Sequence, residues 1–182
     1  MPTGLDEFKS VIKDYRSLTF YQVNGTLVLP LADFATKVGP PWPPFSPLWT
    51  TLVETIVLLV LFQSSFQSTK KVLVTTMRRA LLFSFVSAIL FLIGNSMFVF
   101  DSKNVPKDVK GFVVIDDVKP VLTPVFKEQD ALEGANWDPT KVWTLWSITV
   151  VRVGLFVTWI ALFGSLTRAI GAFVILQRRP RG

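Results

Sequence analysis

The chain contains no cysteine and no histidine. The first absence excludes disulfides, zinc–thiolate sites and thiol nucleophiles, and with them any reading of redox compartment. The second removes the commonest general base and the commonest metal ligand. Charge is sparse as well, with 18% of the 182 residues being Asp, Glu, Lys or Arg. A disordered chain needs the reverse, high charge and few apolar residues. The amino terminus, MPTGLDEFKSVIKDY, lacks the apolar core of a removable signal peptide. There is no GxxxxGK[ST] phosphate loop and no glycine fingerprint after a strand. The adjacent acids Asp116 and Asp117 read as a turn rather than a ligand set. No metal, no cofactor and no catalytic residue is therefore expected, and the chain is not expected to be an enzyme.

What is present is apolar. Half the residues are hydrophobic and mean hydropathy is +0.46. Two runs have the length that crosses a bilayer as a helix, residues 48–66 and 80–100. A third opens at Val142 and continues to Leu176, with Arg152 and Arg168 inside it. At about 1.5 Å per residue it is longer than a bilayer core. It reads as a span over 142–167 followed by a helical extension or interfacial turn over 168–182. Soluble core helices are seldom apolar all round for twenty residues, and three such runs argue against a soluble bundle.

Charge sets the expected orientation. Residues 1–47 carry four basic and four acidic groups, and the 101–141 loop carries six basic and eight acidic. The connection over 67–79 holds Lys70, Lys71, Arg78 and Arg79 without an acid, and Arg178, Arg179 and Arg181 follow the last span. Cytoplasmic segments collect Lys and Arg, so the amino terminus is expected outside and the carboxyl terminus inside. A short cysteine-free chain of this kind suits a bacterial inner membrane. The overall charge of +6 is mostly this asymmetry. Because the basic groups flank apolar spans, it does not point to nucleic acid. Trp49, Trp143 and Trp146 fall where spans meet the outer interface, as an aromatic belt does. The segment KKVLVTTMRR has two readings: it lies along anionic lipid at the cytoplasmic face, or it simply begins the second helix.

The outer segments carry local signals of their own. Leu5, Phe8, Ile12 and Tyr15 have helical spacing, and Asn24-Gly25 between β-prone runs predicts a hairpin. Asn24-Gly25-Thr26 also matches a glycosylation acceptor, although the turn accounts for the same residues. A proline-rich strap from Gly39 to Pro44 leads to Ser46-Pro47, a cap followed by first-position proline. In the second outer segment, 111–115 reads as a strand, 118–126 as extended and 127–133 as a short helix, with Asp138-Pro139 opening the last span. The expected fold is thus an α-helical membrane protein. It has three transmembrane helices and a small α/β extracytoplasmic cap, formed by the N-terminal tail and the loop between the second and third spans.

Ionisable groups inside a membrane are expensive and point to function by default. Glu54, Asn95 and Arg152 each lie five or six residues in from an outer marker. That is a shared depth of roughly 8–9 Å on three helices. A Glu54–Arg152 pair with Asn95 as a further hydrogen-bonding group is expected. It serves either as structural glue or as a partner or transport site. Arg168, near the inner interface, is read as an anchor that snorkels. Ala161, Ser165 and Ala169 share one face, as do Ser84 and Ala88, and such small-residue faces permit close helix contact. The apolar stretch beyond Arg168 needs cover from lipid headgroups or another protein. Together these features suit a non-catalytic subunit of a larger membrane assembly that docks through its outer cap and polar intramembrane contacts. The alternatives are a homo-oligomeric channel or transport component with Glu54 on the path, and a sensor signalling through the basic cytoplasmic segment.

Overall fold

Thr50, Thr51, Val53, Thr55, Ile56, Val57 and Val60 make the first apolar run dense in β-branched residues, which favour strands in water. The segment is nonetheless a helix, α1, over Ser46–Ser65. In hydrocarbon a lone segment can satisfy its backbone only as a helix, and that constraint outweighs propensity. The threonines adapt to it: the hydroxyls of Thr50, Thr51 and Thr55 donate to the carbonyls of Ser46, Pro47 and Thr51, each four residues back.

This architecture comes from a computed structural model that describes residues 39–65, 68–101, 107–116, 118 and 128–178. The order continues with α2 (Lys70–Phe98), β1 (Val99–Phe100), β2 (Asp108–Val109), α3 (Glu128–Gly134), a 3-10 turn (Pro139–Lys141) and α4 (Leu145–Arg178). The described chain is mostly helical, and three helices, α1, α2 and α4, are long and apolar enough to cross a membrane. The expected amino-terminal helix and the hairpin at Asn24-Gly25 lie outside the described residues. So does most of the extended 118–126 segment.

Several boundaries differ from those read in the sequence. The basic segment at 67–79 is mostly not a separate connection, because α2 begins at Lys70. The Thr69 hydroxyl accepts from the Val72 amide at that helix start, as an N-cap does. Lys70, Lys71, Arg78 and Arg79 are exposed on its first turns. The second span stops at Phe98, and the next two residues form a short antiparallel pair with β2, Val99 opposite Val109 and Phe100 opposite Asp108. The strand expected at 111–115 is reduced to an isolated bridge between Val114 and Trp143. The last span begins at Leu145 rather than at 142. Asp138-Pro139 opens the 3-10 turn instead, and Val142 to Thr144 are held by backbone hydrogen bonds with Val113 and Ile115. The short helix expected at 127–133 is found as α3.

The chain divides into two compact units that share α2 and α4. Within the first, containing Phe45–Ile89 and 158–178 of the described residues, Leu58, Leu61 and Phe62 of α1 meet Leu73 of α2 and Ala172, Val174 and Ile175 of α4. The apolar end of α4, expected to need lipid or a partner, is therefore buried by the chain's own helices. Gly171 permits that approach, since a Cβ there would stand 2.5 Å from a methyl of Leu61. The helix does run on past residue 167, as a single element to Arg178.

Within the second unit, Pro40–Pro44 and Leu90–Val157, the core comprises Leu132, Val142, Trp143 and Ile148. Trp143 is 3% exposed and is thus a core residue rather than a belt residue, whereas Trp49 and Trp146 are more than half exposed. Gly111 is required by close packing. A Cβ on it would collide with the Ser147 hydroxyl and lie 2.9 Å from the Trp143 Cβ.

Candidate functional site

Glu54 is wholly buried within the first unit. The Thr167 hydroxyl of α4 donates to its Oε1 at 3.3 Å, while Oε2 has no hydrogen-bond partner among the described residues. One turn before it on α1, Thr50 is also buried and accepts from the Trp159 indole N–H at 3.0 Å. The same Thr50 hydroxyl donates to the Ser46 carbonyl, so both its donor and acceptor capacities are used. Trp159 in turn stacks at a tilt on Phe163, ring centres 4.5 Å apart. Thr50 and Glu54 of α1 thus meet Trp159 and Thr167 of α4 across two side-chain hydrogen bonds.

Arg152 lies in the second unit and has a different partner. Its guanidinium pairs with Asp108 of β2 at 2.9 Å, with the two side chains 29% and 16% exposed. Asp108 also accepts from the Val109 amide. A guanidinium on a long stem reaches toward the polar edge of its helix, where an acid awaits it. Asn95 is half-buried in the same unit, and its Oδ1 has no hydrogen-bond partner among the described residues. The pairing expected of Glu54 with Arg152 is replaced by two others, one in each unit.

The remaining basic residues divide by position. Arg168 is exposed, and with Arg79 it lines a cavity of about 720 Å³ among α1, α2 and α4 in the first unit. Lys70, Lys71 and Arg78 do not line it. The small-residue faces are partly used inside the chain. Ser84 donates to the Leu162 carbonyl at 3.4 Å, and Ala169 is buried.

Outside the spans, Asp138 accepts from both the amide and the hydroxyl of Thr140, at 3.0 and 2.6 Å. Those bonds hold its carboxyl below the usual carboxylate range.

Thr167, Thr50, Trp159 and Asp108 are the polar partners that sequence reasoning missed. The three on helices carry no charge, and a hydroxyl in an apolar run is unremarkable without its neighbour. Asp108 had a usable signal: it is one of the acids in the loop expected to face the same side as Arg152. Among the described residues no group of three acidic side chains is placed to hold a metal ion. Comparison with known protein families, with curated proteins and with solved structures yields no match.

Proposed function

We propose that this chain is a non-catalytic integral membrane subunit of a larger multi-protein assembly. The observation that carries the reading is the complete burial of Glu54. A carboxyl that lines a conduction path must meet water or the permeating ion, whereas this one has no exposed surface and accepts from a hydroxyl of α4. The outward residues of α2 include Leu81, Leu82, Phe85, Leu92 and Ile93, all exposed and none polar. Only 17% of the most apolar stretch of α2 is buried inside the chain, against 39% for α1. That surface suits lipid and neighbouring apolar helices.

In this reading the protein sits in a bacterial inner membrane with the amino terminus outside and the carboxyl terminus inside, supported by the asymmetry of Lys and Arg. Docking is assigned to the outer segments, 1–47 and 101–141, and to the uncovered helix faces. At the start of α4, exposed Trp146 packs edge-on against exposed Phe112, ring centres 5.0 Å apart, and supplies an aromatic anchor.

The test is affinity purification from the native membrane in a gentle detergent, with mass determination of everything retained. Foreign polypeptides in fixed ratio are expected, together with no ion flux from the pure protein in liposomes. A clean homo-oligomer with flux altered by Glu54→Gln would overturn the reading in favour of a channel. Orientation is checked separately in the cysteine-free background, where N104C and T69C should react with impermeant thiol reagents from opposite sides.

A further inference from the structure

The cavity among α1, α2 and α4 changes character along its length. Its wall carries the guanidinium-bearing residues Arg79 and Arg168, the hydroxyl-bearing Ser64 and Thr76, and apolar residues that include Ile56, Phe83 and Ala161. Along α2, Arg79 at the polar end precedes Phe83 by four residues, and along α4 Ala161 precedes Arg168 by seven. At 1.5 Å per residue those separations are about 6 and 10 Å. The directions agree, since α4 runs toward the arginines and α2 runs away from them in the expected topology. Arg79 adjoins the charge-free run that begins at Ala80, so the polar end lies at the level where hydrocarbon gives way to headgroups.

We infer that this cavity is a binding site for a phospholipid of net negative headgroup charge. Its phosphodiester lies between Arg79 and Arg168, and the upper part of one acyl chain lies along Ile56 and Phe83. The two guanidiniums supply planar donors that match phosphate oxygens. Among the described residues, none that lines the cavity is acidic. A choline or ethanolamine ammonium would therefore meet two cations and no counter-charge, which selects against zwitterionic lipid. A free phosphate would gain nothing from the apolar end. The hydroxyl of Ser165, also on the wall, already donates to the carbonyls of Ala161 and Leu162 on its own helix. It leaves the surface short and smooth, where a longer side chain would occupy the acyl path. A volume of about 720 Å³ falls in the usual range for ligand sites, roughly 300–1,000 Å³. The remainder of the lipid lies in the bilayer. The inference rests on the three helices lying in a membrane and is independent of the subunit reading.

The full chain, purified in detergent and stripped of native lipid, is titrated with dioleoyl phosphatidylglycerol, dioleoyl phosphatidylcholine or glycerol 3-phosphate. Native mass spectrometry and thermal unfolding supply the two readouts. The anionic lipid is expected to remain bound and raise the melting temperature, the zwitterionic lipid to bind far more weakly, and glycerol 3-phosphate to have no effect. R79Q/R168Q should lower anionic-lipid affinity by about 30-fold, the loss expected of two cations near an anionic headgroup. R78Q, a neighbouring arginine outside the cavity wall, should bind as the parent does. S165L keeps both arginines and should also lose binding, which separates a tail-holding site from a merely basic surface. Equal binding of the two lipids, equal affinity of R78Q and R79Q/R168Q, or unimpaired binding by S165L would each overturn the proposal. Stabilisation by glycerol 3-phosphate alone would do so as well, by making this a soluble-phosphate site.

Discussion

Glu54 and Arg152 begin from the same problem and reach different solutions. Each is an ionisable group inside an apolar helix. Glu54 has a short stem and is sealed where it stands, with a hydroxyl from another helix as its hydrogen-bond donor. Arg152 has a long stem and meets a carboxylate of a short strand outside the helices, in a pair that keeps some contact with solvent. The difference is one of reach. A side chain that can extend to the polar edge finds a counter-ion there, whereas one that cannot must draw neutral donors from neighbouring helices.

The comparison is broken most severely by Glu54→Lys. It places an ammonium group where the described partner is a hydroxyl, and a cation at membrane depth costs about 3 kcal/mol or more. The expected outcome is loss of folded monomer in detergent by size-exclusion chromatography, while R152E should remain recoverable because its position is partly exposed. Next in size is Thr167→Val, which takes the hydrogen bond from Glu54 without changing volume. Leaving that buried acceptor bare should cost about 1–3 kcal/mol of thermal stability. Trp159→Phe removes the donor to Thr50 and should cost about 1 kcal/mol, additive with Thr167→Val only if the two hydrogen bonds are independent. Asp108→Asn should cost less than about 1 kcal/mol, since its pair is partly solvated, and the deficit should shrink as salt is raised. A deficit for D108N as large as that for T167V would erase the distinction between the two sites.

The smallest expected effect sharpens the contrast from outside the long apolar helices. Asp138 is stabilised in its charged form by Thr140, so its folded carboxyl titrates below its unfolded value. Its contribution is fully present above an unfolded pKa of about 3.9 and fades as pH falls through the lower folded value. The melting temperatures of the parent and Asp138→Ala should differ slightly at neutral pH and converge in strong acid. A difference that grows on acidification would contradict the cap.

Some of this organisation is legible in the order of residues, and the limits have physical causes. The three long apolar helices are visible because apolar residues dominate each run as a whole, a signal that no single residue can hide. The short helix at Glu128–Gly134 is visible too, with a shift of one residue at each end. Glu54 and Arg152 stand out by their cost, but their partners do not. Thr167 lies 113 residues from Glu54, and Asp108 precedes Arg152 by 44. Equal depth along an axis says nothing about which way a side chain faces around it. Trp143 shows the same limit, for its place near an interface suggested a belt residue, and the backbone bonds to the 113–115 segment turn it into a core. The cover over the last turns of α4 was unreadable because it is made by residues more than a hundred positions earlier.

That cover imposes an order on synthesis. Leu58, Leu61, Phe62 and Leu73 are all made before α3 exists, yet the side chains that complete their packing arrive only with Ala172, Val174 and Ile175. A nascent chain is made from its amino-terminal end. Its first two helices must therefore wait, incompletely packed, while about a hundred residues are added. Through that interval their unfinished surface stays uncovered, and arrival of the final turns of α4 is the step that withdraws it.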